Sequence, residues 1–183
     1  MSETTTRISG LGTMMQLAFA PRDLDAALHY WTRVMGVGPF FALEHVRFEN
    51  LYYRGTPSDA DVSLYLSYWG DIQIELVRQH NAAPSIYRQW LDEGREGLHH
   101  TCVLVEKSAD VARARTIAAG AGAEVALEAR MPGGGEVIYL DTGGGPGTIL
   151  EVLCPTPGIR EAFEMIQVAA KRWDGKETIH QIR

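Results

Sequence analysis

Two adjacent histidines, His99 and His100, open the apolar run GLHHTCVLV. An imidazole carried into a buried strand needs a metal, a carboxylate or water at its ring nitrogens. Two glutamates raise the same question. Glu75 stands in the middle of IQIELV and Glu151 in the middle of TILEVL, and a buried carboxylate is costly unless it is paired or coordinating. Taken singly, each has an ordinary explanation. A glutamate can face solvent from an edge strand, and a histidine can be a hydrogen-bonded core residue. Their spacing argues for more.

Gly36 and Gly38 stand 84 positions before Gly120 and Gly122, and Gln16 stands the same 84 positions before His100. Neighbouring residues correspond as well: Leu17 with Thr101, Ala18 with Cys102, Phe19 with Val103. The chain therefore carries two copies of a β-α-β-β-β unit, each with one sheet face that needs a partner. Side by side they predict an α+β fold, an incompletely closed eight-stranded cup with helices outside. Alternation puts Ile72, Ile74 and Leu76 on one face and Gln73, Glu75 and Val77 on the other; it likewise separates Leu150 and Val152 from Ile149, Glu151 and Leu153. A pseudo-twofold relation between the halves then gathers Gln16, Glu75, His100 and Glu151 at the centre of the cup. Two carboxylates, one imidazole and one amide oxygen suit a divalent cation, whose charge the carboxylates balance. His99 is the competing ligand. Alternation turns it toward the helix side, where it supports His100 or lies at the surface.

The elements that must hold these groups can be read in order. Met14–Ala20 predicts a strand, and Asp23 caps a helix that runs through Leu24, Ala27, Leu28, Trp31 and Val34 to a stop at Gly36. Phe40–Phe48, Val62–Trp69 and Ile72–Val77 read as strands, with a loop at Arg54–Ala60. Ser85–Glu93 reads as a short linking helix. In the second half, His100–Val105, Glu124–Ala129, Val137–Asp141 and Thr148–Leu153 are the strands, and Ser108 caps a helix to about Ala119. The glycine clusters MPGGG and TGGGPG lie between strands and lack the Lys-Ser/Thr of a phosphate loop. A last helix runs from Gly158 to about Lys171, before a polar tail. The whole chain reads as a single domain of residues 1–183, with module one at about 12–80, the linker helix at about 84–94, module two at about 97–155, and a helix and tail at 156–183.

Composition limits the partners. A hydrophobic fraction of 45% is ordinary for a globular protein, and a net charge of -6 with a pI near 5.5 argues against a nucleic-acid backbone or anionic lipid. No apolar run approaches the roughly 20 residues that span a bilayer. The start, MSETTTRISG, does not read as a signal peptide. Cys102 and Cys154 sit in apolar runs without zinc spacing and read as buried thiols in a reducing compartment. The expectation is a cytoplasmic protein.

The segments QLAFAPRDLDAALHYWTRVMGVGPF, IQIELV, GLHHTCVLV and GTILEVL, in this order, resemble the vicinal oxygen chelate superfamily (glyoxalase I, methylmalonyl-CoA epimerase, bleomycin-resistance proteins and extradiol dioxygenases). The resemblance covers roughly Met14 to Pro155. It implies one divalent ion (Zn, Co, Ni, Mn or Mg) held by Gln16, Glu75, His100 and Glu151, and a possible homodimer. Gln at position 16 is similar to the glyoxalase I of eukaryotes, where epimerases usually carry His. GVGPF and GLHH look more like the epimerase-type bacterial branch.

A metal-dependent lyase or isomerase follows, in which the ion lowers the cost of an enolate and Glu151 moves the α-proton. Glu75 is a ligand or second proton carrier. Glu44, His45, Tyr52 and Tyr53 are expected on the substrate side, and the substrate is a small thioester, hemithioacetal or other carbonyl compound. A second reading is a metal-free drug-binding protein whose cup is lined by Tyr65, Trp69 and Tyr139. An iron-dependent ring-cleaving dioxygenase ranks last, because it needs two histidines and one carboxylate and only one histidine holds a ligand position.

Overall fold

The computed structural model describes residues 7–131, 133–141 and 149–182. The start of the chain, the expected TGGGPG turn and the Thr148 end of the expected last strand lie outside them. The predicted strands are present, β5 (Val62–Trp69) with the expected bounds and the others with shifted ends: β1 (Thr13–Phe19), β2 (Phe40–Val46), β6 (Ile72–Gln79), β7 (Leu98–Leu104), β8 (Glu124–Arg130), β9 (Glu136–Asp141) and β10 (Ile149–Cys154). Three further strands accompany them: β3 (Glu49–Tyr53), β4 (Thr56–Pro57) within the segment expected to be a loop, and β11 (Ile179–Gln181) in the polar tail. Together they form one open sheet in the order β11-β2-β5-β6-β1-β7-β10-β9-β8-β3-β4.

The two halves meet where β1 runs antiparallel to β7. On either side, β1 pairs in parallel with β6 and β7 in parallel with β10. The last strand of each half is thus the outer neighbour of its first strand. The edges are exchanged between distant parts of the chain. Strand β3 of the first half extends the second half by pairing with β8, and β11 extends the first half by pairing with β2.

Helices α1 (Leu24–His29) and α3 (Ser108–Gly120) cover the outer face as expected. Asp23 caps α1 by accepting from the Ala26 amide at 2.9 Å. The α-helix stops at His29 rather than near Gly36 and widens into a π turn over Tyr30–Val34. The Thr32 hydroxyl donates back to the Leu28 carbonyl at 2.7 Å, a contact that competes with the regular ladder. Ser108 is not a cap; it is the first residue of α3, and its hydroxyl donates to Glu136. Apolar side chains of Leu24, Leu28 and Trp31 pack on Ile74, Leu76 and Phe40, the face that alternation assigns to them.

Helix α2 (Ile86–Asp92), capped by Ser85, plugs one end of the cup with Ile86 and Tyr87. Helix α4 (Pro157–Lys171) takes a position that the repeat does not foretell. Its Phe163 and Ile166 pack on Phe41, Leu66 and Tyr68, so it lies across the mouth of the cup. Fully buried, Ile166 contributes about 2 kcal/mol by leaving water. No helix among the described residues is long and apolar enough to cross a membrane.

Candidate metal and proton-transfer site

Four neighbouring strands, β6, β1, β7 and β10, each contribute one polar side chain: Glu75, Gln16, His100 and Glu151 in that order. The register explains how they converge. Gln73, Gln16, Cys102 and Glu151 form one row across the sheet, and Glu75, Ala18, His100 and Ile149 the next. The pseudo-twofold between β1 and β7 exchanges Glu75 with Glu151 and Gln16 with His100. It also exchanges Ala18 with Cys102, two small residues that leave the floor of the site open.

All four side chains are buried. His100 Nε2 lies 3.2 Å from Glu75 Oε2 and 3.0 Å from Glu151 Oε2. Neither contact has the alignment of a hydrogen bond. Among the described residues, Gln16 Oε1, Glu75 Oε2 and His100 Nε2 have no hydrogen-bond partner. Orphaned polar atoms in a core are costly, of order 1–3 kcal/mol each. Their concentration here, on oxygen and imidazole nitrogen, fits the donor set of a divalent cation. The cluster Glu75, His100 and Glu151 brings one donor atom from each residue within 4.8 Å of the others.

The surroundings set the direction of each donor. Gln16 Nε2 donates to Gln73 Oε1 at 2.7 Å, and Gln73 Nε2 donates to the Tyr68 hydroxyl at 3.1 Å, so Gln16 is left with its carbonyl oxygen free. His99 is fully buried, which removes the surface reading. Its Nε2 lies 3.3 Å from the Ile86 carbonyl, and its Nδ1 lies 2.9 Å from His100 Nδ1. A carbonyl can only accept. His99 therefore carries its proton on Nε2, its Nδ1 accepts from His100 Nδ1–H, and His100 Nε2 is turned to the carboxylates, where it holds a proton or, once that proton leaves, a lone pair for a cation. Tyr87 and Trp90 hold the His99 ring, with centroids 5.0 Å away in each case.

Electrostatics follow from this arrangement. Burial opposes a charge on His100, but the close approach and negative charge of the Glu151 and Glu75 carboxylates outweigh it and raise its pKa to about 9. Burial raises Glu75, with Glu151 adding to the rise and His100 opposing it. Burial and the neighbouring His100 charge push His99 well down, in keeping with a neutral ring that accepts. Cys102, beneath the carboxylates, is pushed well up by burial and by both glutamates, and is a spectator thiol.

The site opens into a cavity of about 100 Å³. Gln16, Glu75 and Glu151 form its polar floor, Tyr139 is one wall, and Phe163 and Ile166 of α4 form the roof. Tyr139 lies on the cavity, with its ring edge-on to His100 at 5.2 Å. Six expected lining residues do not. Tyr65 packs under α1 on the opposite face of β5, and Trp69, on that same face, is exposed beside Trp31. Leu64 and Leu66, one step away along β5, take the inner face instead. Glu44 and His45 are carried off by an irregularity in β2 between Leu43 and Val46, where His45 has a φ of +54°. Tyr52 borders a separate outer cleft, and the Tyr53 hydroxyl donates to Gln89. Of the two places the sequence left open for His99, support of His100 or the surface, the structure puts it behind His100. Sequence reasoning missed the α4 roof, whose stripe Ile159, Ala162, Phe163 and Ile166 has helical spacing.

A paired βαβββ sheet with a His, a Gln and two Glu on its four central strands defines a class, and sequence comparison identifies it. Residues 15–139 match the glyoxalase/bleomycin resistance protein/dioxygenase superfamily, and the chain belongs to that superfamily. Comparison with curated proteins finds no match. Among solved structures, a hypothetical protein from Bacillus halodurans is 16% identical, with 79% of this chain and 95% of that one covered and a TM-score of 0.56. Methylmalonyl-CoA epimerase from Mycobacterium tuberculosis is also 16% identical, over 82% and 93% of the two chains, with a TM-score of 0.55. A methylmalonyl-CoA epimerase in complex with methylmalonyl-CoA and NH4+ is 18% identical over 80% and 96%, with a TM-score of 0.54. At these identities the likeness is one of fold.

Proposed function

We propose that the protein is a metal-dependent isomerase or lyase that moves a proton at the carbon beside a carbonyl or thioester. The observation that carries this reading is the group of three buried donor atoms without hydrogen bonds, Gln16 Oε1, Glu75 Oε2 and His100 Nε2, beside the carboxylate of Glu151. Gln16, Glu75, His100 and Glu151 would hold one divalent ion, of the Zn, Co, Ni, Mn or Mg group. When bound, such an ion supplies positive charge where negative charge develops on a substrate oxygen. Glu151 takes the α-proton and returns it to the same or a neighbouring carbon, and Glu75 serves as ligand or second proton carrier. Phe163 and Ile166 keep water away from the carbon while the proton is held.

The cavity, about 100 Å³, accepts only the reacting end of a substrate, since one water alone takes up about 30 Å³ of liquid. A short acyl thioester, a hemithioacetal or another α-substituted carbonyl compound meets that limit with its remainder outside the cup. The structural neighbour bound to methylmalonyl-CoA supports the thioester among these. A metal-free binding protein would need an aromatic cup, and of its three expected aromatics only Tyr139 reaches the cavity. Metal analysis of protein purified without added metal tests the site. Glu75→Ala and Glu151→Ala should each lose about one equivalent relative to the unaltered chain, and unchanged metal in both would sink the proposal.

A further inference from the structure

A second cluster of donors lies outside the cup, where the irregularity of β2 meets β5 and the end of β6. Glu44, His45 and His80 each place one donor atom within 4.8 Å of the others, and all three are solvent-exposed. The imidazole rings lie face to face, with centroids 4.4 Å apart and planes 33° apart. Beneath them, Ser63 is fully buried and acts as the hub. Its hydroxyl donates to Glu44 Oε2 at 2.6 Å, accepts from the His45 amide at 3.0 Å and lies 2.7 Å from His80 Nε2.

Counting protons at Ser63 fixes the rings. Its one proton goes to Glu44, so the His80 contact requires Nε2–H as donor, and His80 Nδ1 keeps its lone pair. His45 Nδ1 lies 2.8 and 2.9 Å from the two carboxylate oxygens of Asp61, which can only accept. His45 Nε2 therefore keeps its lone pair. An imidazole that donates one nitrogen to a carboxylate or hydroxyl and offers the other is the arrangement that orients metal-ligating histidines. The Tyr65 hydroxyl donates to Glu44 Oε1 at 2.8 Å and steadies the third group. The Ser63 hydrogen bond, with help from Tyr65, holds the Glu44 carboxyl below its ordinary value against a smaller effect of burial. A left-handed backbone is unfavourable for a residue with a side chain, and His45 adopts it at φ +54°, beside its two partners.

We propose that Glu44, His45 and His80 form a second metal site, at the surface, for a borderline transition-metal ion such as Zn2+ or Ni2+, with Asp61 and Ser63 orienting the imidazoles. Two nitrogens and one carboxylate suit these ions better than Mg2+ or Ca2+, which prefer oxygen alone. Three protein ligands leave a coordination position open to water or a further donor. The ion ties β2 to the ends of β5 and β6, on the half of the sheet that also carries β11.

Titration of the full chain with Zn2+ alone, followed by calorimetry and elemental analysis after desalting, tests this independently of the cup. The unaltered protein should retain about two equivalents, and His45→Ala/His80→Ala about one. Glu75→Ala/Glu151→Ala should lose the buried equivalent and keep the surface one. His29→Ala, which removes an imidazole elsewhere on the surface, should change nothing. With Co2+ as probe, the visible bands of the surface site should vanish in His80→Ala while circular dichroism shows the fold intact. Equal stoichiometry in the unaltered chain and His45→Ala/His80→Ala would overturn the proposal, and so would a second equivalent that appears only at millimolar metal.

Discussion

The buried cluster Glu75, His100 and Glu151 and the exposed cluster Glu44, His45 and His80 use the same three kinds of donor in opposite surroundings. In the cup, the side chains are buried. Donor atoms are left without hydrogen bonds, and His100 is raised to about 9 by two carboxylates that burial alone would not allow it to outlast. At the surface, each of the three side chains is held by a hydrogen bond to Asp61, Ser63 or Tyr65, which leaves His45 Nε2 and His80 Nδ1 with their lone pairs. Burial therefore separates a site where a cation replaces a missing interaction from one whose ligands are already oriented by hydrogen bonds before a cation arrives. The former can alter a proton's affinity for carbon; the latter can only fasten strands.

The largest expected effect sharpens the catalytic side of this contrast. Glu151→Gln keeps shape and removes the base, so solvent deuterium exchange at a substrate α-carbon should fall by about 10²–10⁴. Exchange at the normal rate would assign the base elsewhere. Ile166→Ala attacks the roof that keeps the cup dry and should cost about 2–5 kcal/mol in chemical denaturation, more than any change at exposed His45. An effect under about 1 kcal/mol would mean that α4 is not firmly seated.

The pH dependence comes next. A proton on His100 must leave before its Nε2 can bind a cation, so metal and proton compete. With His100 at about 9 in the metal-free protein, affinity at the cup should rise by up to about tenfold per pH unit from pH 7 to 9 and flatten above. Calorimetry in buffers of different ionisation heat should record the released proton, and a flat profile would break the link. The smallest effect concerns orientation. His99→Phe keeps a ring between Tyr87 and Trp90 but cannot accept from His100, and metal affinity should drop about 10–100-fold. If affinity holds, His100 needs no partner behind it.

Much of this was legible in the residues because the repeat constrains both halves at once. Gln16, Glu75, His100 and Glu151 follow from an offset and an alternation, and the register places all four on adjacent strands. Strand β5 was harder, since Val62, Leu64, Leu66 and Tyr68 on one face are matched by Tyr65 and Trp69 on the other. A strand covered on both sides has no polar face to mark its inside. The displacement of Glu44 and His45 depends on a register irregularity in β2, which shifts side chains without changing composition. The position of α4 was hidden for another reason. Its apolar stripe states that it must cover something, but not which surface.

The exchange of edge strands has a consequence for how the chain is made. As the first half emerges during synthesis, β3 has no neighbour except β4, because its other partner β8 lies about 70 residues further on. Strand β2 likewise keeps a bare edge until β11 arrives near the end. Neither half can close its own borders, and a chain stopped after β6 would leave three strand edges, those of β1, β2 and β3, without their partners and ready to join those of other copies. Duplicated units in this sheet are interdependent parts, each finished by a piece of chain from outside it.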